Sequence, residues 1–289
     1  MKPPPFEYRA PLTLGETLEL LSEEPESTSL LAGGQSLVPM LNLRLARPAR
    51  VVDLNRVEGL DGIAQDRPGG PIRIGAMVRQ HTLESSALIR EQLPLITEAA
   101  SHIGHIAIRS RGTVGGSLAH ADPAAELPAV MAALGARIVL RSRGGERMVP
   151  ASEFFEGPLM TALRPGELLV AVEVDVPPAG TGSAFVEVAR THGAFALVAT
   201  AALVRVAPGG CIDFASLALG GVAGVPYVAG WIGPALAGAE PTAEAFANAV
   251  EPLTTEIRWR EDEHGAYRRR ASSGLAARAL RTAAERSRA

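Results

Sequence analysis

Arg109-Ser110-Arg111-Gly112-Thr113-Val114-Gly115-Gly116-Ser117-Leu118-Ala119-His120-Ala121-Asp122-Pro123 carries the densest chemical information in this 289-residue chain. Gly112, Gly115 and Gly116 have no Cβ, so backbone N–H groups there can approach an anion closely and the chain can turn through positive φ. A diphosphate is the natural candidate. Arg109 and Arg111 bring positive charge to the same loop, and Thr113, Ser117 and His120 add polar side chains that can reach an oxygen or a ring nitrogen. Asp122-Pro123 has the form of an N-cap followed by a first-turn proline, and Ala124 to Leu134 runs to Gly135. This predicts a helix there, with the glycines just upstream of its start.

A second glycine loop, Ala32-Gly33-Gly34-Gln35-Ser36, follows the apolar run Ser29-Leu30-Leu31 and leads into a helix-compatible segment from Leu37 to Leu45. A single Gly-Gly pair is the ordinary mark of a turn. Two of them, about eighty residues apart and each between a predicted strand and a predicted helix, fit a dinucleotide held at its pyrophosphate from two sides. Neither reads G-x-G-x-x-G or G-x-x-x-x-G-K-[ST], which argues against a Rossmann fingerprint and a P-loop.

Ala32-Gly-Gly-Gln-Ser-Leu-Val-Pro-Met-Leu-Asn-Leu-Arg-Leu-Ala46 and Arg111-Gly-Thr-Val-Gly-Gly-Ser-Leu-Ala-His-Ala-Asp-Pro-Ala-Ala-Glu-Leu-Pro128 resemble the two FAD-binding signatures of the flavin-carrying medium subunit of molybdenum hydroxylases. That family includes the medium subunit of carbon monoxide dehydrogenase and the flavin domain of xanthine dehydrogenase. The likeness continues through Thr161 to Leu169, Gly182 to Arg190, Leu217 to Val222 and Tyr267 to Arg270, and so spans nearly the whole chain. It implies an α+β fold: a FAD-binding domain of PCMH type made of two α/β subdomains, then a smaller C-terminal domain with a three-stranded antiparallel sheet and helices.

Composition sets outer limits. Length points to roughly two domains. A hydrophobic content of 47% with 20% charged residues describes a globular protein. The net charge of −3 provides no basic stripe for nucleic acid. The strongest basic run, Arg268-Arg269-Arg270, reads as a solvated turn of the last helix, and Glu23-Glu24 and Glu261-Asp262-Glu263 read as surface charge. Cys211 is the single cysteine, which leaves no disulfide framework and no cysteine set for an iron–sulfur cluster. The opening Met-Lys-Pro-Pro-Pro-Phe-Glu lacks a signal-peptide core and no apolar run approaches twenty residues, so a cytoplasmic chain that does not span a membrane is expected.

Along the chain, Thr13-x-x-Glu16 is a capping box ahead of Leu14, Leu18 and Leu21. Ser29 to Leu31 and Arg50 to Leu54 read as strands, completing a first subdomain of about 57 residues. In the second, 58–176, Ile72-Arg73-Ile74 reads as a strand and Ser85 to Ser101 as one helix. His102 and His105, three apart with no third ligand candidate, read as ordinary polar residues of the loop approach. Ala136 to Leu140 and Leu168 to Val176 are strand-like, with a hairpin turn at Ser142 to Glu146. Pro177-Pro178-Ala179-Gly180-Thr181-Gly182 is the clearest linker, so the FAD-binding domain is placed at 1–176 and the C-terminal domain at 183–289. In the latter, Ala184 to Ala189, Ala196 to Val206 and Ile212 to Leu219 form a predicted meander, followed by helices over Pro241 to Val250 and Ala266 to Arg286.

No G-x-S-x-G elbow, H-E-x-x-H or Cys/His constellation is present, so no catalytic residue is assigned and the chemistry is that of a cofactor. The resemblance implies that Ala32, Gly33, Gly34, Gln35, Ser36 and Leu37, with Thr113, Gly115, Gly116 and Ser117, line the FAD pyrophosphate. It places Asp122 in the nucleotide half of the site, a role compatible with capping a helix. Ser117 and His120 are ligand contacts or plain loop structure. Leu163 and Leu168 lie near adenine or isoalloxazine, or in the core, and Phe195 lies beside the isoalloxazine or opens a strand from the core. Two departures stand out: relatives often read Gly-Asp-aromatic-Ala where this chain has Gly193-Ala194-Phe195-Ala196, and often carry Lys where Glu187 stands. Both would change the charge near the flavin and so its potential or its acceptor.

No histidine is marked for covalent attachment, so FAD is expected to be non-covalent. The implied assembly has molybdopterin on a large subunit and iron–sulfur clusters on a small subunit, as a dimer of heterotrimers, with electrons reaching this flavin and leaving to an external acceptor. A stand-alone FAD-dependent oxidoreductase of a small molecule and a flavin-less scaffold are the alternatives.

Overall fold

A computed structural model of the chain describes residues 2–191 and 193–288, and three sheets organise it. The first is parallel, with strands β1 (Glu7–Arg9), β2 (Thr28–Leu31) and β3 (Arg50–Asp53) in the order β1-β3-β2. Parallel neighbours need crossovers, which the helices Leu14–Glu23 and Leu37–Asn42 supply. The Thr13 hydroxyl accepts the Glu16 N–H at 3.2 Å, as the capping box predicts, while the Glu16 carboxylate reaches one residue further back, to the Leu12 N–H at 3.1 Å. No alternation marks β1, whose Glu-Tyr-Arg is exposed on the sheet edge. Its Glu7, with Glu23 of the first helix, ion-pairs the buried Arg50, so Glu23 is more than bare surface charge.

The second sheet is antiparallel and holds β4 (Ile63–Gln65), β5 (Ile72–Gly75), β6 (Arg137–Ser142), β7 (Gly145–Pro150) and, after the small hairpin of β8 (Phe155–Gly157) and β9 (Met160–Thr161), β10 (Leu168–Val174). Its order is β4-β5-β10-β6-β7. The central β10, Leu-Leu-Val-Ala-Val-Glu-Val, is a nearly continuous apolar run, as a strand covered on both faces requires.

The segment between β5 and β6 is helical but differs from expectation in two places. The single helix expected over Ser85 to Ser101 is three: Gln80–Ser85, Ala87–Gln92 and Pro94–His102. Ser86 caps the second, and Pro94, which cannot donate and restricts the residue before it, starts the third. The helix expected to start at Asp122 starts at Glu126 and runs to Ala133 with Ala125 as N-cap; the Asp122 carboxylate caps only a local turn, accepting the Ala124 N–H at 2.9 Å. Gly115 and Gly116 therefore do not lie just upstream of a helix start. They form the first turn of a separate helix, Val114–His120, capped by Thr113. The helix Glu126–Ala133 is buried at every position, which makes it a core helix rather than a surface one.

The third sheet contains the expected meander, β11 (Thr181–Ala189), β12 (Ala196–Val206) and β13 (Ile212–Gly220), extended by the two-residue β14 (Tyr227–Val228). Strand alternation divides it. Ala199, Ala201 and Leu203 face the core shared with the helices before β6, while Val198, Ala202 and Val204 face the C-terminal helices, chiefly Ala243–Val250 and Gly265–Ser287. The basic run in that last helix is not all solvated. Arg268 is 4% exposed, ion-pairs Asp262 and donates to the Leu197 carbonyl, tying the helix to β12; Asp262 accordingly is not free surface charge.

Candidate functional site

The two glycine loops touch. A Cβ on Gly33 would stand 2.8 Å from the Gly112 Cα and overlap the Arg111 carbonyl, and a Cβ on Gly116 would come within 3.4 Å of the Ala32 methyl. Gly33 follows the carboxyl end of parallel strand β2, the place where open α/β sheets present ligands. Gly34 has φ +75°, a left-handed turn that glycine adopts at little cost.

The loops differ in what they offer an anion. The N–H groups of Val114, Gly115, Gly116 and Ser117 are all spent inside the protein, on Val78 O, Ala76 O, Thr113 Oγ1 and Thr113 O. Their glycines permit close approach instead: a Cβ on Gly115 would stand 2.6 Å from the Ala76 methyl. By contrast, the N–H groups of Gly33, Gly34, Gln35, Ser36 and Leu37 have no acceptor among the described residues, and the Ser36 hydroxyl makes no capping bond. The backbone donors free to meet a diphosphate are thus those of 33–37, and Ser36 and Ser117 carry hydroxyls that could join them. These features are compatible with a dinucleotide: a Cβ at Gly33 would fill the contact, and free donors line one side of it.

A polar chain missed by sequence reasoning ties the loops from behind. The Tyr8 hydroxyl donates to Asp53 Oδ2 at 2.6 Å; Asp53 Oδ1 accepts the Asn55 N–H at 2.9 Å; Asn55 Nδ2 donates to the Ala32 carbonyl at 2.9 Å. Asn55 Oδ1 accepts from Arg79 Nη2 at 2.7 Å, and Arg79 Nη1 donates to the Arg111 carbonyl at 2.7 Å. Burial alone would raise the Asp53 carboxyl, but the bonds from Tyr8 and Asn55 outweigh it and hold it below the usual range. The one available signal was position: Asp53 ends the parallel strand β3 and Asn55 lies in the turn that follows it.

Other predicted residues scatter around this centre. His120 ends the helix Val114–His120, half-buried. Next to it Ala121 is left-handed at φ 52°, and its carbonyl accepts the N–H of Leu159, itself left-handed at φ 59°, at 3.0 Å. Leu168, 3% exposed, packs in the core with Leu18, Leu21 and Leu54, and Leu163 packs against the main core. Phe195 is 63% exposed, so it is not a core residue; it lies on the β11–β12 connection, where Gly193 is packed on the His105 ring.

A second group, whose association the sequence did not show, lies between the helices and the third sheet. His102 is not a plain loop residue: it ends its helix 3.3 Å from Glu187 on β11, and this ion pair raises its pKa. Glu126 is 4% exposed, and burial pushes its carboxyl up to about 7, with Glu187 adding to the rise. The second oxygen of Glu187 is buried with no hydrogen-bond partner among the described residues.

The chain matches two family models, the FAD binding domain in molybdopterin dehydrogenase over residues 4–177 and the CO dehydrogenase flavoprotein C-terminal domain over 183–283. It is 42% identical over 227 residues to the caffeine dehydrogenase subunit beta of Pseudomonas sp. (strain CBB1), covering 78% of this chain and 76% of that one. It is 38% identical over 250 residues to the carbon monoxide dehydrogenase medium chain of Afipia carboxidovorans, covering 86% of each. Among solved structures, carbon monoxide dehydrogenase from Hydrogenophaga pseudoflava aligns with a TM-score of 0.94 at 38% identity over 99% of both chains. Quinoline 2-oxidoreductase from Pseudomonas putida 86 aligns with a TM-score of 0.92 at 38% identity, again over 99% of both. Two loops meeting in one cleft, whole-chain structural likeness and two family matches lead to one conclusion: this chain belongs to the FAD-binding medium subunits of the molybdenum hydroxylases, an oxidoreductase family.

Proposed function

We propose that the chain holds FAD non-covalently between the loops at 32–37 and 113–117 and relays electrons. In this reading it receives them from iron–sulfur clusters on a small partner subunit, fed by a molybdopterin centre on a large one, and passes them to an external acceptor. The assembly is a dimer of heterotrimers in the cytoplasm. The observation that carries the reading is the direct contact of Gly33 with Arg111 and Gly112, which makes one cleft from two distant signatures.

Several features support the division of labour. One cysteine gives the chain no ligand set for a cluster of its own. The relatives named medium chain or subunit beta are components of dehydrogenases. No helix among the described residues is long and apolar enough to cross a membrane. When bound, FAD supplies the one- and two-electron chemistry; this chain's residues bind it, orient it and set the charge around it. Ser36 and Ser117 offer hydroxyls to the diphosphate, and Arg79 and Arg111 place positive charge behind it.

The test is co-expression with the adjacent reading frames, followed by size-exclusion chromatography and an absorption spectrum. Co-elution with an iron–sulfur subunit, with flavin bands near roughly 370 and 450 nm that acid precipitation releases into the supernatant, is expected. A flavin-bearing chain that never joins a partner would favour a stand-alone oxidoreductase. Absence of the bands after reconstitution would leave only a scaffold.

A further inference from the structure

We infer that Asn55 and Arg79 are positioning residues of the flavin site: together they form a two-side-chain strap that sets the spacing of the two glycine loops and adds positive charge where they meet. This rests on the reading of the cleft as the FAD site. Each end of the strap holds one loop by a carbonyl, Ala32 from Asn55 Nδ2 at 2.9 Å and Arg111 from Arg79 Nη1 at 2.7 Å, and the middle is the 2.7 Å bond from Arg79 Nη2 to Asn55 Oδ1.

Both side chains are half-buried and neither is free to drift. Asn55 is fixed at its own N–H by Asp53, which Tyr8 holds in turn, so the strap is anchored in the parallel sheet through β3. Arg79 starts the helix Gln80–Ser85 and pairs by backbone with Thr113, so the other end is anchored beside the second loop.

Two consequences favour a diphosphate. First, the carbonyls of Ala32 and Arg111 are occupied. A carbonyl oxygen left facing a diphosphate would repel it, whereas the unspent donors of the first loop attract it. Second, the Arg79 guanidinium has neutral hydrogen-bond partners, and neither it nor Arg111 makes an ion pair among the described residues. Two neighbouring guanidinium groups that repel each other, one of them half-buried and only partly offset by the Asp53 carboxylate, gain from an arriving anion. The strap thus stores positive charge where an anion is to be bound and keeps the loops at the separation the anion needs.

The experiment uses the full chain stripped of flavin, titrated with FAD by calorimetry, together with hydrogen exchange of 32–37 and 109–117 and the thermal midpoint of the stripped protein. Asn55→Leu and Arg79→Met are each expected to weaken FAD binding about 10- to 100-fold, with faster exchange in both loops and little change in the midpoint. Because the strap is one unit, the double variant should bind no more weakly than about threefold below the worse single one. Arg79→Lys should recover part of the charge effect but leave loop exchange fast, since a single ammonium cannot reach both acceptors in fork geometry. Dissociation constants within about twofold of the parent would overturn the strap, as would losses that add fully in the double variant. A parent chain that binds no FAD at all would instead overturn the reading of the cleft, and the strap with it.

Discussion

Gly33 is packed so closely on Arg111 that a Cβ at Gly33 would overlap the Arg111 carbonyl and stand 2.8 Å from the Gly112 Cα. The obstacle is backbone on both sides, so no flexible side chain can swing away. Gly33→Ala should therefore push the loops apart and lower flavin retention at least about tenfold, with little effect on the third sheet. The flavin-to-protein absorbance ratio after desalting reads this. A normal ratio would mean that loop contact does not matter for the cofactor.

Gly116 meets a different neighbour. Its Cβ would stand 2.7 Å from Thr113 Oγ1, the atom that caps the helix Val114–His120. Gly116→Val should first displace that cap, at a cost of about 1 kcal/mol, and then crowd Ala32 across the cleft. Loss of flavin with a retained circular dichroism spectrum is the expected result, whereas full occupancy would count against placing Gly116 in the site.

Long signals were legible in the sequence and short ones were not. The two glycine signatures, the meander strands from Ala196 to Val206 and Ile212 to Leu219, and the Thr13 cap carry local patterns that tertiary packing did not override. The boundary at Asp122 went astray because Asp-Pro serves an Asx-type turn as well as a helix start, and here the turn holds it. The one helix expected over Ser85 to Ser101 hides its breaks in a continuous apolar pattern, with only Pro94 to announce one. Asn55 and Arg79 were missed for a common reason: each acquires its role from a partner far along the chain, as Arg79 does from Arg111; Glu126 was missed because its burial is a tertiary property.

Phe195 offers a test of the C-terminal contribution. At 63% exposed it has little packing to lose, so Phe195→Ala should change stability by less than about 0.5 kcal/mol. If the aromatic ring lies beside the bound flavin, the same variant will shift flavin fluorescence or the midpoint potential. An altered denaturation midpoint with an unchanged flavin signal would assign Phe195 to structure alone.

The buried acid cluster predicts a pH dependence. Glu126 titrates near about 7 rather than its ordinary 4.5, because burial and then Glu187 disfavour its charge, and the Glu187 pair raises His102. Both shifts have the same sign: the stability they contribute is present at low pH and lost as pH rises, for Glu126 between 4.5 and about 7 and for His102 above its ordinary 6.5. The groups facing them are Glu187 on β11, Glu98 on the helix of His102, and Asp122 before the helix of Glu126; Glu98 is paired with Arg286, and His102 is the cation beside Glu187. Unfolding free energies from urea melts between about pH 5 and 7 should fall by roughly 1 kcal/mol per pH unit from Glu126 alone. Glu126→Gln should flatten that slope. A slope undiminished by the substitution would place the titrating group elsewhere.

Glu98 is the hinge of the same seam. Its Oε2 accepts the Phe185 N–H from the free edge of β11 at 3.0 Å and Arg286 Nη1 at 2.8 Å, while Oε1 accepts Arg286 Nη2 at 3.0 Å. An edge strand with an unmet N–H invites non-native pairing, and here one carboxylate on the helix Pro94–His102 meets it. Arg286 is half exposed, so the ion pair itself contributes little, and the main loss in Glu98→Ala is the acceptor for Phe185. That variant should be destabilised by about 1 to 3 kcal/mol, and Glu98→Gln, whose carbonyl can still accept from Phe185, by less than half as much. Equal losses in the two variants, read from denaturant midpoints, would mean that charge rather than edge protection holds the seam. Faster hydrogen exchange at Phe185 in Glu98→Ala alone would establish that the acceptor is what matters.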